Sequence, residues 1–229
     1  MKPFIFLSEN YLKDAQDENS AAFNVVINDQ VPYTATIYFL DRYGNEANRT
    51  IDTLILEDTN IKNMTISAYV NGAYINAFTV ANNTDSTLFL KNENPVTTSS
   101  LRITIPDDTY NPATVTAKIG VYSFLCNLLA LTDTNYKIEA NEGNYRVVSG
   151  SFIHWADYKK WTAKVKMENL TQEQFNILTA QAELGEMTVI PYEDLEADAI
   201  YECAVGREYQ YELNRKTELF NLELEFNEL

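Results

Sequence analysis

The chain has 229 residues, 45% hydrophobic and 22% charged, with 33 acidic against 17 basic side chains and a net charge of −16. That is a globular composition, long enough for two small domains or one large all-β domain, and too acidic for a polyanion binder, so no specific nucleic-acid binding is expected. One histidine and two cysteines leave no His-rich metal site and no disulfide framework, and no apolar run approaches the roughly 18 residues that read as a membrane span.

The opening MKPFIFLSEN has a short apolar core and no small-residue cleavage site, so it does not read as a secretory leader, and synthesis in a cytoplasm is expected. From there to about residue 125, aromatic and β-branched residues gather in short runs: Phe23–Ile27, Thr34–Leu40, Thr53–Leu56, Met64–Val70, Tyr74–Val80, Thr87–Leu90, Leu101–Ile105 and Val115–Phe124. Polar clusters separate most of them, among them Arg42–Ala47, Glu57–Asn63 and Lys91–Ser100. Short strands at this spacing predict a β-sandwich over residues 1–125. The stretch CNLLALTDTNYKIEANEGNY changes character and predicts a domain junction at about residues 125–132, with a second domain over 126–229.

In the second half, Trp161, Ala163, Val165 and Met167 alternate with Lys160, Thr162, Lys164 and Lys166. That period of two predicts a strand with one buried face. The terminal run alternates Phe220, Leu222, Leu224 and Phe226 with Asn221, Glu223, Glu225 and Asn227. Tyr145–Phe152, Met187–Tyr192, Tyr201–Val205 and Tyr209–Leu213 are further predicted strands. One helix is predicted over about 172–184. Thr171 fits its N-cap with Gln174 completing a capping box, Leu170 and Phe175 sit at staple positions, and Gly185 ends it. The fold class is therefore mainly β, a jelly-roll-like sandwich followed by a β-barrel or sandwich with one short helix.

Chemistry is sparse. His154 lies near Trp155, Asp157 and Tyr158, but no GxSxG or papain-like cysteine context marks a nucleophile. Glu193, Asp194, Glu196 and Asp198 cluster without the spacing of a calcium loop and read as a solvated loop. No phosphate-cradling glycine motif occurs. No catalytic residue, cofactor or metal site is predicted, and no enzyme. Cys126 and Cys203 sit among apolar residues and read as small buried hydrophobes; a bond between them is allowed but not required. Tyr43, Tyr74 and Tyr110 read as aromatic residues in N-terminal loops and are candidates for stacking on sugar rings. The stripe of Lys160, Lys164 and Lys166 wants an acidic neighbour, and Glu223 and Glu225 supply one. If the two strands pair within a subunit they make a charge ladder; if not, the stripe is an assembly face for another copy.

The order of phrases in the second half carries a resemblance. A hairpin (Tyr145–Met167) precedes N-L-T-Q-E-Q-F-N-I-L, then M-T-V-I-P-Y-E-D, Y-E-C-A-V-G-R and L-F-N-L-E-L-E-F. This resembles the tube-like belt domain of bacteriophage distal tail and tail-tip proteins. In the first half, R-T-I-D-T-L-I-L-E-D-T-N-I-K-N-M-T-I and V-T-T-S-S-L-R-I-T-I resemble the discoidin-like, galactose-binding-type sandwiches of phage and prophage proteins. The resemblance implies a ring-forming structural protein of a phage tail, made in the bacterial host. Its implied partners are copies of itself and other tail proteins, with a host-surface glycan as the partner in an alternative reading as a carbohydrate-binding protein. Distal tail proteins usually carry the belt domain first, and the reversed order here extends the implied place to a neighbouring tail-tip or baseplate component.

Overall fold

The computed structural model describes residues 3–41, 43–129, 135–146, 152–191, 200–206 and 208–229; of residues 3, 129, 135–146 and 152–159 it describes the backbone alone. The chain divides into two units, and the protein is mainly β as its sequence predicts.

One unit runs from Leu7 to Phe124. It holds β2 (Gln16–Asp17), β3 (Val26–Gln30), β4 (Tyr33–Tyr38), β5 (Arg49–Glu57), β6 (Met64–Val70), β7 (Ala73–Val80), β8 (Leu88–Thr98), β9 (Ser100–Ile105) and β10 (Thr114–Tyr122). They form a four-stranded sheet, β3-β10-β5-β8, and a five-stranded sheet, β2-β4-β9-β6-β7. Alternation decides which way each strand faces. Met64, Ile66 and Ala68 of β6 and Leu101, Ile103 and Ile105 of β9 are buried, while Tyr69 and Arg102 stay exposed. These join Ile27, Leu54, Val115 and Ile119 from the other sheet in one apolar core, so the unit is a sandwich. Lys91–Ser100, expected to be a turn, is largely strand. β8 pairs Leu90 with Leu54 and, past a register shift, Val96 with Ile51. The polar residues between them lie at that irregularity, where Asn94 N–H donates to the Asn92 side chain (2.9 Å).

The other unit contains β1 (Pro3–Leu7), β11 (Phe124–Leu129), β12 (Asn135–Arg146), β13 (Phe152–Leu170), α1 (Gln172–Leu184), β14 (Glu186–Pro191), β15 (Tyr201–Val205), β16 (Gln210–Asn214) and β17 (Leu219–Glu228). Its sheet runs β11-β1-β14-β15-β17-β13-β12, with β16 also on β17. Among the described strands this path is open at β11 and β12, so no closed barrel forms. Phe6, Trp161, Val165, Val189, Cys203, Leu224 and Phe226 share one buried face, and Leu178 and Ala182 of α1 pack on it. The helix carries the caps its sequence announces. Gln174 N–H donates to Thr171 Oγ1 (3.2 Å), Thr171 N–H donates to Gln174 Oε1 (3.0 Å), and Gly185 closes the end at φ 97°.

Two expectations change. The first strand does not belong to the sandwich. Phe4 and Phe6 point into the core of the other unit, where Phe6 lies 5.8 Å from Phe226, so residues 1–125 are not one domain. The predicted junction at 125–132 is also partly strand, because β11 occupies Phe124–Leu129 beside β1. The polar stretch after it contains β12, held by antiparallel pairing to β13 from Asn135↔Lys164 to Arg146↔Phe152. The single strand expected over Tyr145–Phe152 is therefore the end of one strand and the start of the next, with residues 147–151 outside the described set.

Candidate binding and assembly surfaces

The lysine stripe is paired within one chain. β13 and β17 are antiparallel neighbours, with Lys164 opposite Glu225 and Lys166 opposite Glu223. Lys164 Nζ reaches diagonally to Glu223 Oε1 at 2.6 Å. The hydrogen bond to Glu223 and its charge, with Glu225 adding, hold the Lys164 ammonium above its ordinary pKa. Lys160 faces Glu139 of β12 in the register. The arrangement is a cross-strand charge ladder, the intrasubunit branch of the two readings.

The hairpin of β12 and β13 leaves backbone edges open. β12 pairs with residues Phe152 to Lys164 of β13, whereas β17 pairs only from Thr162 to Leu170. Among the described residues, the part of β13 before Thr162 has a strand partner on one side only, Trp161 N–H there donating instead to the Glu228 carboxylate (2.6 Å), and β12 lies at the end of the sheet. The two-stranded part extends for about 30 Å at the usual rise per residue.

The three candidate tyrosines do not converge. Tyr43 lies in the loop after β4, 73% exposed, where its N–H donates to Asp41 Oδ1 (2.8 Å). Tyr110 lies in the loop after β9, 65% exposed, with its N–H donating to Asp108 Oδ1 (2.9 Å). That carboxylate sits below its ordinary pKa, chiefly through the Asn111 N–H and then through the Asn63 amide. Tyr38, at the end of β4 that leads into the Tyr43 loop, faces Ser100 at the start of β9, so Tyr43 and Tyr110 belong to opposite ends of the sandwich. Tyr74 lies not in a loop but on β7, opposite Tyr69. Their rings sit 5.2 Å apart, and the Arg102 guanidinium lies 3.9 Å from the Tyr74 centroid. The sequence reading missed Tyr69 and Arg102. Local alternation places each on the outward face of its strand, but only the register of β9, β6 and β7 brings them together.

Cys126 and Cys203 are both buried in one core and not joined in a disulfide, and burial pushes the Cys126 thiol up to about 12. His154 lies on β13 opposite Asn144, and its side chain, with those of Trp155, Asp157 and Tyr158, is outside the described set. The acidic cluster Glu193, Asp194, Glu196 and Asp198 is outside the described residues altogether. Among the described residues no group of three or more His, Cys, Asp or Glu could hold a metal ion, and no helix is long and apolar enough to cross a membrane. No family model, curated protein or solved structure matches this chain.

Proposed function

We propose that this chain is a structural component of a phage or phage-like tail, of the distal-tail, tail-tip or baseplate type, whose copies assemble into a ring and which works without catalysis. One observation carries the reading: the long two-stranded part of β12 and β13, whose backbone edges have no third strand among the described residues. A two-stranded ribbon is marginally stable alone in water, and unpaired edges template pairing with another chain. A second copy supplying a strand edge satisfies those donors and acceptors. Such a head-to-tail contact closes into a ring when its rotation closes. The phrase order that resembles a belt domain points the same way, and a place in the tail, after synthesis in the bacterial host, follows from it.

Shortening the ribbon tests the assembly. Asn141 and Tyr158 face each other, so replacing residues 142–157 with Asn-Gly closes the hairpin there with a two-residue turn. The full chain is expected to form oligomers in sedimentation velocity, or to be found by mass spectrometry in purified tail particles. The shortened chain is expected to stay monomeric, to be missing from such particles, and to unfold as the full chain does. A shortened chain that assembles like the full one would overturn the reading. So would a full chain that is both monomeric in isolation and absent from tail particles.

A further inference from the structure

The outward face of the five-stranded sheet has an unusual charge pattern for so acidic a protein. Thr36, Arg102, Ser67 and Asn76 lie across β4, β9, β6 and β7 in one row. The neighbouring row across the same strands is threonine throughout. Neither row contains a carboxylate; Asp17, Glu18 and Asp29 line a cleft with Thr34 and Thr36 at the β4 end, with Arg102 on β9 and Tyr74 on β7 outside its lining. Arg102 is exposed and makes no ion pair among the described residues, although the chain as a whole carries −16. Its guanidinium lies 3.9 Å from the centroid of the Tyr74 ring, close enough for a cation–π contact. Tyr69, 42% exposed, stands beside that pair.

Each group has a definite use. An exposed tyrosine ring offers an apolar face for the C–H side of a sugar ring, with a hydroxyl at its rim. Ser67 Oγ donates to Asn76 Oδ1 (3.1 Å), which leaves both Asn76 amide hydrogens for a ligand oxygen. The guanidinium fork matches a carboxylate with two parallel hydrogen bonds. A neutral sugar has no need of an uncompensated cation. A polyanion needs more than one, and is repelled by the remaining charge.

We propose that this face is a binding site for an acidic saccharide, with Arg102 gripping the carboxylate and Tyr69 and Tyr74 supporting the ring. The site lies wholly within the sandwich unit and does not depend on the assembly reading.

The test uses the full chain on an array of uronate- and sialate-bearing oligosaccharides printed beside their neutral counterparts. Acidic members are expected to be retained over neutral ones, and Arg102→Gln is expected to weaken retention about tenfold or more, as loss of a charge-assisted bidentate contact does. Tyr69→Ala is expected to weaken it as well, and Tyr110→Ala, at the far end of the sandwich, to leave it unchanged. All three positions are at the surface, so an unchanged melting temperature separates lost binding from lost folding. Failure to retain any acidic saccharide would overturn the proposal, as would retention that Arg102→Gln leaves intact.

Discussion

Phe6, at the start of the chain, packs its ring 5.8 Å from that of Phe226, near its end, and both are fully buried. The contact fixes β1 in the sheet of the C-terminal unit. Phe6→Ala is therefore expected to cost that unit about 3–5 kcal/mol, the usual price of emptying a buried aromatic site. Hydrogen exchange locates the damage: amides of β14 and β17 should lose protection while those of β6 and β9 keep theirs. Loss in β6 and β9 instead would mean that β1 belongs to the sandwich.

Asn111 ties the loops at one end of the sandwich. Its Oδ1 accepts from Lys62 N–H (2.8 Å) and Asn63 N–H (3.1 Å), and its amide donates to Asn63 O (3.0 Å) and Pro106 O (3.1 Å). Asn111→Ala strands two backbone donors, and a loss of about 1–3 kcal/mol is expected from urea unfolding. Asn111→Asp keeps the acceptor but sets a carboxylate against Asn63 O and Pro106 O, beside Asp108, so it should not recover the loss at neutral pH.

The Lys164–Glu223 contact gives a charge test. Lys164→Glu brings a third carboxylate beside Glu223 and Glu225, and a lower melting temperature is expected; exchanging the two residues (Lys164→Glu with Glu223→Lys) should recover most of it. The pH dependence has a definite sign. The folded pKa of Lys164 is raised above the ordinary 10.5, so its contribution is complete below that value and is lost as pH rises through the folded one. Melting at neutral and strongly alkaline pH, compared between the parent and Lys164→Gln, should show the difference between them shrink on the alkaline side alone.

Helix α1 depends on its two ends. Thr171→Ala removes the acceptor for Gln174 N–H and should cost about 1 kcal/mol. Gly185 sits at φ 97°, where any β-carbon is strained, so Gly185→Ala should cost about 1–2 kcal/mol. Chemical denaturation of the two variants measures both.

The thiols offer a probe of the same core. With the Cys126 thiol at about 12 and both cysteines buried, neither should react with a disulfide reagent at pH 8 until the protein is unfolded. Rapid labelling of the native chain would show that this core opens.

Much of the fold was legible because half-buried strands and capped helices write themselves locally. β6, β9, β13 and β17 alternate, and α1 carries its cap, staple and terminal glycine in order. Partner choice is not local. The run Phe4–Leu7 reads as apolar, but nothing in it says whether it pairs with the sandwich or with a strand more than a hundred residues away. β12 was missed because NYKIEANEGNYR lacks a sustained apolar face; its structure comes from pairing with β13. Tyr74 is visible in the sequence as an aromatic, but its neighbours Tyr69 and Arg102 come from two other strands, and register alone assembles the three. The lysine stripe is legible as a pattern, but its partner is set by the pairing of β13 with β17, which no local signal specifies.

β1 and β11 are adjacent in their sheet, and the chain from Leu7 to Phe124 leaves from one and returns to the other. The sandwich is thus a guest in a host whose two segments enclose it in sequence. A short turn joining Leu7 to Phe124 would keep the host strands in their order, so evolution could gain, discard or exchange the guest as a cassette without disturbing the scaffold that carries it.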